Sequence, residues 1–182
     1  MSRHRRALLP LFALALLALA LGVSACGYES DSKHVEEGEP LELGELSYNV
    51  TFSRYLNPND TEDAAYLVGQ KEAPKGESYF GVFFEIQNES DEPQQLPVSL
   101  LITDIDGGEY GSLRSESIFA LPFESYVEGE EQVPALDSPA QQGPIEGSVV
   151  LFLLPEEASE NRPLTLHIEN WESEKGEVTL DL

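Results

Sequence analysis

The chain has 182 residues, with 10 lysines and arginines against 34 aspartates and glutamates, a net charge of -24 and a pI near 4.2. That length holds one domain with appendages rather than two domains, and the acidity excludes a nucleic-acid binder, which needs a basic face. Hydrophobic residues at 41% supply a core, the single cysteine excludes an internal disulfide, and three histidines are too few for most zinc sites.

The chain opens with Arg3, Arg5 and Arg6, an apolar run from Ala7 to Gly22, and then Val23-Ser24-Ala25-Cys26. A basic start, a short apolar stretch and small residues before a cleavage point have the layout of a secretory signal. As a helix the run would reach about 24 Å, short of the roughly 30 Å of bilayer hydrocarbon, so cleavage fits better than a permanent span. The last four of these residues resemble the bacterial lipobox. That resemblance implies cleavage after Ala25 and a diacylglycerol thioether on the Cys26 sulfur, so that the protein sits on the extracytoplasmic face of the cell membrane. Residues 1–25 hold three of the ten basic residues and none of the acidic ones, so cleavage leaves 157 residues with a net charge of -27. Residues 26–45, the lipidated cysteine followed by an acidic stretch, are expected to form a flexible tether, with the folded domain at 46–182.

From Leu46 to Ser53 apolar and polar residues alternate strictly, which predicts a half-buried strand. Residues 79–88 repeat the pattern, with Phe80, Val82, Phe84 and Ile86 on one face and Tyr79, Gly81, Phe83, Glu85 and Gln87 on the other. Leu96, Val98, Leu100 and Ile102 predict a third strand. It runs into an Asp106-Gly107 hairpin turn and a strand from Glu109 to Leu113. Ser117 to Leu121 adds a further short candidate. Ile145 to Leu154 is almost wholly apolar, as expected of a strand in the middle of a sandwich. Leu164 to Ile168 and Val178 to Leu182 predict two closing strands. Two stretches break the rhythm, 57–77 and 124–143, and long loops of this kind are often functional. Seven to nine short strands and no helical period predict an all-β, antiparallel, immunoglobulin-like β-sandwich, and periodicity alone leaves a Greek-key barrel open.

Four motifs carry a family resemblance. Arg54-Tyr55-Leu56-Asn57-Pro58, the strand ending at Asn88 with Glu89-Ser90-Asp91-Glu92-Pro93 after it, the turn from Asp104 to Tyr110, and the strand from Gly147 to Pro155 resemble a bacterial lipoprotein domain family of unknown function. The resemblance implies an immunoglobulin-like fold and a lipid anchor; its motifs are turns and core positions, with no catalytic residue to carry over. The acidic segment 124–143 departs from the pattern.

Candidates for chemistry are few. After cleavage only His34 and His167 remain, and His167 alternates with Leu166 and Ile168, which predicts an exposed strand position. No Gly-x-Ser-x-Gly elbow is present. The carboxylates of Asp104, Asp106 and Glu109 in one turn, and of Asp60, Glu62 and Asp63 in another, are oxygen ligands of the kind calcium takes, although the spacing after Asp104 does not match an EF-hand. The expectation is therefore a non-enzymatic envelope lipoprotein that contacts the membrane through its lipid, has an envelope protein as partner, and uses the loops 57–77 and 124–143 as contact surfaces. A calcium-binding envelope protein and a carboxylate-based cell-wall hydrolase are the alternatives. No cofactor is expected beyond the covalent lipid.

Overall fold

The computed structural model describes residues 32–180, and the expected signal segment, its cleavage point at Ala25 and the expected lipidation site at Cys26 lie outside them. The described residues form twelve strands: β1 (Lys33–Glu36), β2 (Pro40–Leu43), β3 (Leu46–Tyr55), β4 (Glu77–Asn88), β5 (Gln94–Gln95), β6 (Leu101–Thr103), β7 (Glu109–Gly111), β8 (Tyr126–Val127), β9 (Gln132–Val133), β10 (Ser148–Pro155), β11 (Leu164–Glu169) and β12 (Lys175–Leu180). One short helix, α1 (Thr61–Tyr66), and a single 3-10 turn at Glu156–Ser159 complete the regular structure. The strand count exceeds the expected seven to nine because five of the strands have only two or three residues, too short for a period to be legible.

Two sheets face each other. One has the order β1-β12-β11-β6-β7, the other β10-β4-β3-β2 with β9 beside β4. Every pairing is antiparallel except β1 with β12. The inner faces close over one core in which Phe80, Val82, Phe84, Val150 and Phe152 meet Ile102, Leu164, Leu166, Ile168 and Val178. The long strands form where sequence periodicity places them, because a period of two is what buries one face of a pleated strand. The architecture is thus a β-sandwich, and the barrel alternative is set aside.

The expected tether is corrected. Residues 33–43 belong to the sandwich: β1 pairs with β12, the chain crosses to the other sheet, and β2 pairs with β3 so that Leu41 and Leu43 are fully buried. The alternation Pro40-Leu41-Glu42-Leu43 carried that signal, hidden beside His34-Val35-Glu36-Glu37-Gly38-Glu39. The domain therefore begins by Lys33.

Sheet burial is also two-sided. Phe83, placed on the polar face of its strand by simple alternation, is fully buried on the outer face of β4 together with Tyr79. There a second cluster gathers Leu56, Tyr66, Leu67, Val149 and Leu151 under α1 and the segment around Leu113 and Phe119. The Tyr66 ring stands edge-on to Phe83 at 5.0 Å and to Phe119 at 5.2 Å, the geometry aromatic quadrupoles favour. The stretch 57–77 is thus partly helical cover rather than open loop, and 124–143 contributes β8 and β9. A bulge between Val50 and Phe52 shifts the register of β3, turning Phe52 outward onto Phe83 while Ser53 faces inward.

Three further expectations change. The central strand is β4, whereas β10 borders its sheet and is edged only by bridges from Leu113 and Ala120. Ser117–Leu121 accordingly forms one bridge and no strand. The strand expected from Leu96 shortens to Leu101–Thr103, since Pro97 has no N–H for a ladder and Val98 points to solvent.

Candidate functional site

The Asp104 turn is a latch. Its Oδ1 accepts from the backbone N–H of Asp106 at 3.0 Å and of Gly108 at 2.8 Å, and its Oδ2 accepts from the Tyr110 hydroxyl at 2.8 Å. The Tyr110 bond, followed by the Gly108 amide, holds the Asp104 carboxyl below the usual carboxylate range. Burial, followed by the same bond, pushes Tyr110 up to about 12. Gly107 takes φ +84°, the left-handed conformation this hairpin needs. Asp106 and Glu109 point to solvent, so the three carboxylates proposed from sequence as calcium ligands are not brought together. Among the described residues no group of three or more His, Cys, Asp or Glu is placed to hold a metal ion.

The second acidic cluster is likewise built into the fold. Asp60 caps α1, its carboxylate accepting from the N–H groups of Glu62 and Asp63. Asp63 is buried, and its carboxylate accepts from the two terminal guanidinium nitrogens of Arg54 and from the Asn57 N–H, the last at 2.7 Å. This fork fixes α1 against β3.

Histidine placement follows sheet pairing. His34 on β1, Glu177 on β12 and His167 on β11 lie side by side across three strands. Each imidazole Nδ1 stands 3.5–3.6 Å from a different Glu177 oxygen, while the Nε2 atoms meet the hydroxyls of Thr179 and Thr103 at 2.9 and 2.8 Å. His167 does sit on the outer face of its sheet, as its alternation implies, and its partners come from strands distant in sequence.

Asn88, which ends a strand in one of the four motifs, owes its place there to hydrogen bonding. Fully buried, it donates from Nδ2 to the carbonyls of Glu92, Val127 and Glu128 at 2.8–3.1 Å and accepts at Oδ1 from the Ser90 N–H and hydroxyl. The Asn-turn-Glu-Pro pattern is thus a clamp holding β8 beside the start of β5.

Exposed aromatic side chains that no sequence motif marks stand at one end of the sandwich. Trp171, on the loop between β11 and β12, and Tyr126, on β8, are each 62% exposed. A groove of about 310 Å³ runs between Trp171 and the Pro97-Val98-Ser99 segment. A second of about 180 Å³ lies among Trp171, Tyr126, Pro93 and the β2–β3 turn. The two share Asn170 and Trp171. Of the two stretches proposed as contact surfaces, 124–143 supplies Tyr126 to this end, whereas 57–77 supplies α1 to the second core. An exposed tryptophan carries no sequence signature, because the same residue type is ordinary in a core.

No family model matches the chain, and no curated protein matches it. Solved structures do. The fold is similar to that of an uncharacterized beta-sandwich protein from Clostridium difficile 630, at 16% identity over 85% of this chain and 98% of that one, with a TM-score of 0.54. It is also similar to the yjhA protein from Bacillus subtilis, at 13% identity over 81% of this chain and 99% of that one, with a TM-score of 0.50. The likeness is one of fold. Among the described residues no helix is long and apolar enough to cross a membrane.

Proposed function

We propose that the chain is an extracytoplasmic lipoprotein, anchored through acylated Cys26, whose sandwich acts by binding a partner and not by catalysis. The observation that carries the binding half is a division of labour among side chains. The best-placed carboxylates and imidazoles are turned onto the protein's own groups, as at Asp104, Asp63 and the His34–Glu177–His167 row, while Trp171 and Tyr126 present their rings to solvent beside two grooves. An enzyme acting through carboxylates or histidine would keep such groups addressed to a cleft. Exposed aromatic side chains beside a concave surface are the hallmark of recognition.

The anchoring half rests on the basic start, the apolar run and Val23-Ser24-Ala25-Cys26. Because β1 begins at Lys33, six residues separate it from Cys26, a reach of about 20–25 Å at full extension. The sandwich would be held close to the bilayer. Two acyl chains bind far more firmly than one, at about 0.8 kcal/mol per buried methylene.

Expression in a bacterial host with labelled fatty acid tests the anchor. Wild-type protein takes up label, partitions with membranes and has the mass of a chain cut after Ala25, whereas Cys26→Ser takes up none and is not cut there. A Cys26→Ser protein with the same label and the same mature mass would refute the assignment.

A further inference from the structure

The two grooves around Trp171 are lined by Glu45, Glu169 and Glu172 and by no lysine, arginine or histidine. The cations beside them are already engaged: Lys175 with Glu169 at 3.6 Å, Lys33 with the Glu42 carbonyl at 2.6 Å and Glu174 at 4.0 Å, and Arg114 with the Val98 carbonyl at 2.9 Å and Glu124 at 2.8 Å. The side-chain amides at this end bond to the protein's own groups. Asn170 Oδ1 accepts from the N–H groups of Glu172 and Glu174, Gln94 donates to Ser90, and Gln95 donates to the Glu124 carbonyl while accepting from the Tyr126 hydroxyl. What the surface offers outward is therefore aromatic ring faces and carboxylates.

That combination selects a class of ligand. The faces of tryptophan and tyrosine attract ammonium and guanidinium groups, and neighbouring carboxylates add to the attraction. A neutral glycan carries no charge for these carboxylates to attract, and an anionic bilayer would be repelled by the charge of -27 left after cleavage. We propose that this end of the sandwich binds an extended, basic protein segment, with lysine or arginine side chains seated on Trp171 and Tyr126 between Glu45, Glu169 and Glu172. The proposal rests on the binding reading above and names its partner. Long-range attraction to so acidic a body would speed encounter, and the rings would confer a preferred seat.

Trp171 is the only tryptophan in the chain, so its emission reports on this surface alone. The test uses the mature lipidated protein in nonionic detergent and a fluorescein-labelled synthetic peptide of alternating Lys, Arg and Gly. Expected results are a saturable change in Trp171 emission, matching peptide anisotropy, and weakening as salt rises. Trp171→Ala and Tyr126→Ala, followed by anisotropy, should each weaken binding about five- to tenfold, the loss of one cation–π contact. Both side chains are largely exposed, so the variants should melt with the wild type.

Any chain this acidic attracts a polycation, which makes the aromatic variants decisive. If Trp171→Ala binds the peptide as tightly as wild type, the attraction is diffuse and the proposal fails. It also fails if the peptide does not bind, or if Trp171 emission responds to an uncharged N-acetylated chito-oligosaccharide or to phosphatidylcholine vesicles and not to the peptide. Each of these outcomes leaves the Cys26 labelling result untouched, so loss of this proposal and loss of the anchor are separable.

Discussion

Replacing Asn88 by alanine removes one side chain and unfastens three segments. Nδ2 has two hydrogens that serve the Glu92, Val127 and Glu128 carbonyls, and Oδ1 receives two donors from Ser90. At about 0.5–1.5 kcal/mol net for each of roughly four hydrogen bonds, the loss is about 2–6 kcal/mol, weighted upward where a carbonyl is left buried without a donor. Asn88 itself is wholly inaccessible, so water does not replace it without the strand end opening. For a domain of this size each kcal/mol moves the melting temperature by about 2–4 °C, giving a fall of about 10 °C. Urea unfolding followed by circular dichroism should show a lower midpoint with an unchanged slope. Two companions isolate the cause. Ser90→Ala, losing only the hydroxyl, should cost about 1 kcal/mol. Asn88→Asp keeps the shape but sets an oxygen against three carbonyls, and should be at least as damaging as alanine at neutral pH. A loss below about 1 kcal/mol for Asn88→Ala, or a wild-type midpoint for Asn88→Asp, would refute the clamp. The same clamp holds Val127, and with it Tyr126, beside Gln94 and Gln95, so the variant should also loosen the second groove.

Asp63→Asn leaves Arg54 facing a neutral amide inside a partly buried fork, and should lower stability by about 2–4 kcal/mol in chemical denaturation, with the loss largely absent when Arg54→Met is combined with it. The Asp104 turn yields a pH dependence. Its carboxyl is held below its ordinary value in the folded state, so its contribution is present above the unfolded value of about 3.9 and is lost as pH falls through the folded one. Tyr110→Phe removes the largest cause of that depression; the variant should be least stable relative to wild type near neutral pH, and the gap should narrow below about pH 4. A gap that is constant from pH 7 to pH 3 in thermal melts would sink the linkage.

Much of the framework was legible because burial leaves a local imprint. The strands β3, β4, β11 and β12 show apolar residues at every second position, and Asp106-Gly107 marks a turn that only particular residues can make. Other features left a weaker imprint or a misleading one. β2 was visible only as Leu41 and Leu43 in an acidic context. Phe83 reads as a polar-face position by alternation, yet it is buried because α1, which ends at Tyr66 well before it in the chain, covers it through Tyr66, and that cover cannot be inferred from its neighbours. The proline at 97 should have argued against a strand from Leu96, since it cannot donate to a ladder. Of the candidate site, the Asp104 and Asp60 clusters were found as acidic residues, and their roles as latch and cap depend on which backbone amides lie within reach.

By itself the amino-acid sequence determined the sandwich class, the acidity, the turns and the lipobox resemblance at Cys26, because each is a property of composition or of residues adjacent along the chain. Tertiary structure alone decided that β1 crosses between sheets, that β4 is buried on both faces, that His34 and His167 flank Glu177, and that Trp171, Tyr126 and three glutamates share one end. Those outcomes depend on pairing between segments up to 145 residues apart. A long-range contact forms when closing the intervening chain, at a cost that grows only logarithmically with its length, is outweighed by the surface it buries. No local pattern records which distant segment will supply that surface.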